Sequence, residues 1–283
     1  MSDLVMPRKP YPSDLTDEQW TILEPLIPPA RQNRGGRPRN VNLREVANTI
    51  LYLNRSGCQW DMLPHDLPPK STVFEYFTQW RNDGTWTKIL TALRTQVRVA
   101  AGRETTPSAM CIDSQSIKTT EVGGAERGFD GGKKIKGRKR HLLVDTLGLL
   151  VAVLITSAAS DDGTIAPKLL AKISPTDFPR LEVIFGDNKY HNQTLAAWLE
   201  KQRPDWRIEV KTRTPGTKGF VVLPKRWVVE RTNAWNGRAR RNSKDYERRP
   251  ESSAAMIEVT NIHLFLRRLA PSPKPVFNYA KSV

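Results

Sequence analysis

Apolar residues change their spacing near residue 105 of this 283-residue chain. Upstream, Leu43, Val46, Ile50 and Leu53 recur at the three- and four-residue steps of a helix face, and Val73, Phe77 and Trp80 repeat the pattern. Downstream, Cys111-Ile-Asp-Ser-Gln-Ser-Ile117 alternates apolar with polar, the two-residue period of a half-buried strand. A chain that switches period once divides into a helical part followed by a part containing a sheet.

The helical part, from about 14 to 101, carries its own punctuation. Thr16-Asp17-Glu18-Gln19 is a capping box with Trp20 and Leu23 behind it. Asn42 opens the next helix, and Ser56-Gly57 stops it. A third begins at Thr72 and closes at Asn82-Asp83-Gly84; a fourth runs from about Trp86 to Ala101. Short helices with short turns fit a helix-turn-helix bundle, or an ordinary helical domain. Beyond it, strands are expected at 111–117, 140–145, 149–155, 181–185 and 206–211. Helices are expected at 165–173, 192–202, Trp227 to about Arg241, and 254–269. The order β-β-β-α-β-α-β-α gives an α/β fold with a mixed sheet, the layout of the ribonuclease-H-like fold. The resulting division is a helical domain at 1–105, an α/β domain at 106–270 and a tail at 271–283 that is expected to be mobile.

Charge narrows the partner. Lys and Arg number 45 against 29 Asp and Glu, a net +16, which favours a polyanion such as nucleic acid. Two separated cysteines, Cys58 and Cys111, argue against a zinc site or a disulfide framework. The opening MSDLVMPRKP has no apolar signal core, and the longest apolar run, Leu147 to Ile155, is too short to span a bilayer. A soluble, cytoplasmic, nucleoid-associated protein is therefore expected.

Three carboxylates occupy positions that suit metal-assisted phosphoryl transfer, which needs an activated water and a stabilised leaving oxygen. Asp113 interrupts an apolar strand, where an uncompensated charge costs several kcal/mol, on the order of the burial penalty for an ion. Asp187 follows the C-terminal end of a buried strand, where α/β sheets hold ligands. Glu230 sits in a basic helix, with Arg226 and Arg241 on its face by periodicity. Asp145 and Asp162 compete for the second role, but Asp145 precedes a turn and Asp162 sits at a helix entry.

Basic stretches accompany them. Arg127 to Arg140 holds seven Lys or Arg against one Asp, and Pro224 to Pro250 holds nine against three acids. The run 131–140 is expected to be mobile and to lie along a phosphate backbone, with Lys133, Lys134, Lys136, Arg138, Lys139 and Arg140 as contacts. Arg37 and Arg39, in a Gly- and Pro-rich joint, suit a minor groove. Arg238 and Arg241 extend the set beside Glu230. Trp235 and Tyr246 suit either the core or a stack on unpaired bases.

With these motifs in order the chain resembles the insertion-sequence-five group of bacterial DDE transposases. The similarity runs from about Tyr11 to Arg268. It rests on LTDEQWTILEPLIPPAR, GGRPR, LREVANTILYL, GCQWDMLP and FTQWRNDGTW, then CIDSQSIK, GGKKIKGRKRHLLVDTLGLLVAV, FGDNKY and RWVVERTNAWNGRARRNSKDYE. The resemblance implies a catalytic triad of Asp113, Asp187 and Glu230 holding Mg2+ or Mn2+. It implies hydrolysis at the ends of an element, then attack of the 3′-hydroxyl on target DNA. It also implies double-stranded DNA with terminal inverted repeats as partner, and assembly as at least a dimer. Two departures stand out. Asn188-Lys189-Tyr190 replaces a Gly-rich turn. In the Tyr-x2-Arg-x3-Glu-x6-Lys/Arg signature, Arg226 and Glu230 match while Leu223 and Gly237 do not. A DNA-binding protein without catalysis, and a nuclease without strand transfer, are the other functional classes the sequence admits.

Overall fold

A computed structural model of the chain describes residues 8–29, 41–121, 123–210 and 227–271. Four helices come first: α1 (Asp17–Leu23), α2 (Leu43–Ser56), α3 (Lys70–Asn82) and α4 (Thr85–Ala100). The capping box at Thr16 forms, with the Thr16 hydroxyl accepting from the Gln19 amide and the Gln19 side chain accepting from the Thr16 amide. The Asn42 side chain accepts from the amides of Arg44 and Glu45 and starts α2; Gly57 ends it at φ 72°, a left-handed cap that favours glycine.

The sheet that follows is mixed. Its strands are β1 (Ala109–Lys118), β2 (Gly128–Asp130), β3 (Ile135–Asp145), β4 (Leu150–Ser157), β5 (Val183–Gly186) and β6 (Arg207–Val210). The main order across the sheet is β4-β3-β1-β5-β6, with β2 extending the β4 edge of β3. β3 runs antiparallel to β1, β2 and β4, while β5 and β6 run parallel to β1. Helices α5 (Asp162–Leu170) and α6 (Gln193–Gln202) lie between the later strands, and α7 (Trp227–Gly237) and α8 (Pro250–Leu269) close the described chain. No helix among the described residues is long and apolar enough to cross a membrane.

Strand alternation sorts the core into two layers. Cys111, Leu142, Val144, Val183 and Phe185 face α4, α7 and α8; Met110, Ile112, Leu143 and Ile184 face α5 and α6. The first layer is continuous with the interior of α1–α4: Leu23, Ile50, Leu53, Phe77, Trp80 and Leu93 belong to the same buried cluster as Ile262, Phe265 and Leu266 of α8. Polar ties follow the same seam. Asn54 donates to the Met256 carbonyl (3.1 Å), Arg81 to the Ser252 hydroxyl (2.6 Å) and Gln19 to the Ala270 carbonyl (2.8 Å). The helical first third thus shares one core with the α/β part, with α8 as the common wall.

The structure changes several local expectations. The run 131–140 is not mobile, because its second half is strand β3, whose Arg138, Lys139 and Arg140 are buried. An unforeseen short strand, β2, pairs with the start of β3. The helix expected at 165–173 begins earlier, at Asp162, because the Asp161 side chain caps it by accepting from the Thr164 amide. The helix expected to reach Arg241 stops at Gly237; Arg240–Asn242 is a separate 3-10 turn.

Candidate functional site

Register brings two of the expected carboxylates together. Cys111 pairs with Phe185 across the parallel β1–β5 interface. The ladder stops at this pair, and Asp113 and Asp187 each lie two residues further on, Asp113 within β1 and Asp187 just past the end of β5. Both follow the parity of Cys111 and Phe185, so both belong to the layer that α7 covers. Asp187 keeps an extended backbone, and its carboxylate caps the following 3-10 turn by accepting from the Lys189 amide (3.0 Å). α7 packs on this face through Val228 and Val229 and carries Glu230, exposed, in its first turn. It is held from below: the Thr232 hydroxyl donates to the Gly148 carbonyl (2.8 Å) and Arg231 to the Leu147 carbonyl (2.9 Å).

The two competing aspartates have other work. Asp145 is fully buried; it bonds Arg98 at 2.5 Å and accepts from the amides of Leu147 and Leu149, so it shapes the β3–β4 turn. Asp162 lies on the opposite face of the sheet, between Lys189 (2.8 Å) and Lys139 (3.2 Å), with His141 at 3.8 Å. Its own burial opposes ionisation, but bonds from Lys189 and Ser114 prevail and lower its pKa. Burial pushes the His141 imidazole down to about 4, and its Nε2 lies 2.8 Å from the Thr156 hydroxyl. Asp130 joins the cluster, held down to about 2 by the Ser116 hydroxyl (2.5 Å) and the Lys133 amide. Sequence reasoning missed this polar layer behind the site. Its one visible signal was the unusual Asn188-Lys189-Tyr190, where Lys189 now ties the Asp187 turn to α5. Gly163 permits that approach: a Cβ there would lie 2.4 Å from the Lys189 carbonyl. Tyr190 packs under the turn, its hydroxyl buried and under the field of Asp113, Asp162 and Asp187; burial comes first in raising its pKa.

The basic residues separate into two groups. Arg138 is fully buried and donates to the carbonyls of Ala125, Glu247 and Arg248. Arg140 donates to the carbonyls of Asn242 and Lys244, and Arg241 to Glu247 and the Cys58 carbonyl. Lys139 is tied to the Ser160 carbonyl (2.7 Å) and Asp162. These four are buried and hold the fold together, so the expectation that they lie along DNA is corrected: burial and interior hydrogen bonds keep them from the surface. Lys133, Lys134, Lys136 and Arg238 are exposed. Arg37, Arg39 and Arg226 lie outside the described residues. Trp235 is half-buried between Arg231 and Arg268, each 4.5 Å from its ring centre, while Tyr246 is exposed.

A profile described as "Transposase DDE domain" matches residues 104–265. That span exceeds half of the chain. The chain belongs to the DDE-domain transposases. A second profile, "Putative transposase of IS4/5 family", matches residues 15–90, in the helical part of this transposase. A putative transposase for insertion sequence element IS402 of Burkholderia cepacia is 30% identical over 129 residues, covering 44% of this chain and 60% of that protein's length. An uncharacterized 16.2 kDa protein of the IS402 insertion element, from the same organism, is 29% identical over 38% of this chain and 76% of its own length. The Mos1 transposase paired-end complex with left transposon end covers 63% of this chain and 61% of its own, at 11% identity and a TM-score of 0.24, too slight a likeness to bear on the argument.

Proposed function

We propose that this transposase binds the terminal inverted repeats of an insertion sequence, hydrolyses the element's ends and joins the resulting 3′-hydroxyls to target DNA. Asp113, Asp187 and Glu230 are its catalytic carboxylates. The observation that carries the reading is the common layer: two aspartates that follow the paired Cys111 and Phe185 on neighbouring strands, with α7, the helix carrying Glu230, packed on the same side through Val228 and Val229. The strand order β4-β3-β1-β5-β6 with β3 reversed supports a ribonuclease-H-like catalytic fold.

The donors fit a hard divalent cation. All three are carboxylates, the oxygen ligands that Mg2+ and Mn2+ favour. Among the described residues no three His, Cys, Asp or Glu side chains form a ready-made metal cage. Mg2+ does not require one, since one or two carboxylates and substrate phosphates suffice. Bound there, Mg2+ or Mn2+ supplies an activated water and a stabilised leaving oxygen. The chain's part in this reading is positional: β1 carries Asp113, the end of β5 leads into Asp187, Lys189 and Asp162 brace the turn behind, and α7 supplies Glu230. The exposed Lys133, Lys134, Lys136 and Arg238, with Arg37, Arg39 and Arg226, supply phosphate contacts. Two element ends must be cut and joined, a task that assembly as at least a dimer on DNA would serve.

The test is a linear duplex carrying the element's terminus, incubated with Mg2+ or Mn2+. Site-specific nicking and joined products are expected. Asp113→Ala and Glu230→Ala should each reduce cleavage on the order of a thousandfold, the loss of several kcal/mol of transition-state stabilisation, while leaving DNA binding in place. Undiminished cleavage in both variants would sink the assignment.

A further inference from the structure

The hairpin of β2 and β3 carries a ring that the fold does not use. Phe129 is 57% exposed, more than any other Phe, Trp or Tyr ring among the described residues. A Phe ring left largely in water forgoes much of the stabilisation that burial would give it. Its surroundings are basic. Lys136 is its direct partner in the β2–β3 ladder, and Arg127, Lys133 and Lys134 flank it, all exposed. Lysines commonly guard sheet edges against pairing. That accounts for Lys134 and Lys136 but not for an aromatic ring between them.

The hairpin is built to hold that ring still. Asp130 closes its turn by accepting from the Lys133 amide (3.0 Å) and is pinned by the Ser116 hydroxyl (2.5 Å). Lys134 sits at φ 53°, a left-handed conformation that fixes the reversal. Gly128 and Gly137 let the hairpin seat on its neighbours, since a Cβ at either would lie 2.0 Å from the Ser157 hydroxyl or the Ile117 carbonyl. Lys133 leans back to the Ser114 carbonyl (3.5 Å), next in sequence to Asp113. Phe129 shares the strand parity of Lys136 and Arg138, which is that of Leu142, the partner of Asp113. Phe129 therefore belongs to the same side of the sheet as the carboxylates. It lies six rows along β3, roughly 20 Å at the usual strand rise.

We propose that the β2–β3 hairpin is a DNA wedge: Phe129 enters the base stack of the bound duplex while Lys134 and Lys136 hold the flanking phosphates. Apolar side chains that insert between base steps work in this way, unstacking one step and gaining contact from the bend. This inference rests on the DNA-binding reading above.

The test uses the full chain and a linear duplex carrying one 2-aminopurine, moved through every position in turn. Fluorescence should rise at one step, where the base is unstacked. Phe129→Ala should abolish that rise and weaken binding about tenfold, with unchanged thermal stability; Phe129→Tyr should restore both. Binding without a rise at any position, or a rise that survives Phe129→Ala, overturns the wedge and leaves DNA binding standing. No duplex binding by the wild-type chain would instead overturn the DNA-binding reading, and the wedge with it.

Discussion

Arg138 and Lys134 are four residues apart in one basic run, and only the fold separates their roles. The Arg138 side chain is fully buried, 3.3 Å from the equally buried Asp245, and its guanidinium donates to three backbone carbonyls. Removing it leaves Asp245 without its cation. Arg138→Met should therefore lower stability by about 3–5 kcal/mol, the cost of breaking a buried pair, measured by urea denaturation. Lys134→Gln should leave the denaturation midpoint unchanged and reduce the salt slope of DNA binding by about one. If Arg138→Met is fully stable and only binds DNA less well, Arg138 is a phosphate contact after all. The sequence showed both residues as one charge run because period-two alternation says which residues share a face, not which face is roofed. The segment 242–248, which roofs Arg138 and Arg140, arrives from a hundred residues later.

At the scale of elements, caps and turns were the legible parts. The Thr16 box, the Asn42 cap and the Gly57 stop each depend on neighbours within four residues, and each formed as expected. Gly57 then gained a second duty. A Cβ there would stand 2.9 Å from the Arg240 Cβ, because the end of α2 abuts the 3-10 turn after α7. Gly57→Ala should cost at least the roughly 1–2 kcal/mol of a left-handed non-glycine residue, read as a lowered melting temperature. A neutral result would mean that the cap and the contact both relax. Element boundaries were less legible where capping was indirect. α5 starts at Asp162 because Asp161 caps it, whereas the apolar pattern starts at Ile165. β3 begins at Ile135, five residues before the strand expected from Arg140, because Arg138 and Lys139 are buried by pairing their donors, which hydrophobic periodicity cannot register.

At the scale of the whole molecule, one buried cluster runs from α1 through α8 to the sheet. The helical and α/β parts should therefore unfold together. Tryptophan fluorescence, with Trp80 and Trp86 in the helical part and Trp206 beside the sheet, should track far-UV circular dichroism in a single urea transition. Two separated transitions would show that the first third folds on its own. The sequence by itself determined the period switch, the mixed α/β class, the basic character and the carboxylates worth weighing, because those are matters of local spacing and residue type. Tertiary structure decided which carboxylates can meet. Asp113 and Asp187 each follow the paired Cys111 and Phe185 by two residues, and α7, which carries Glu230, packs on that layer through Val228 and Val229. Asp162 stands on the other face of the sheet, between two lysines. Those relations join residues tens of positions apart in the chain, and only strand pairing and helix packing can bring them together.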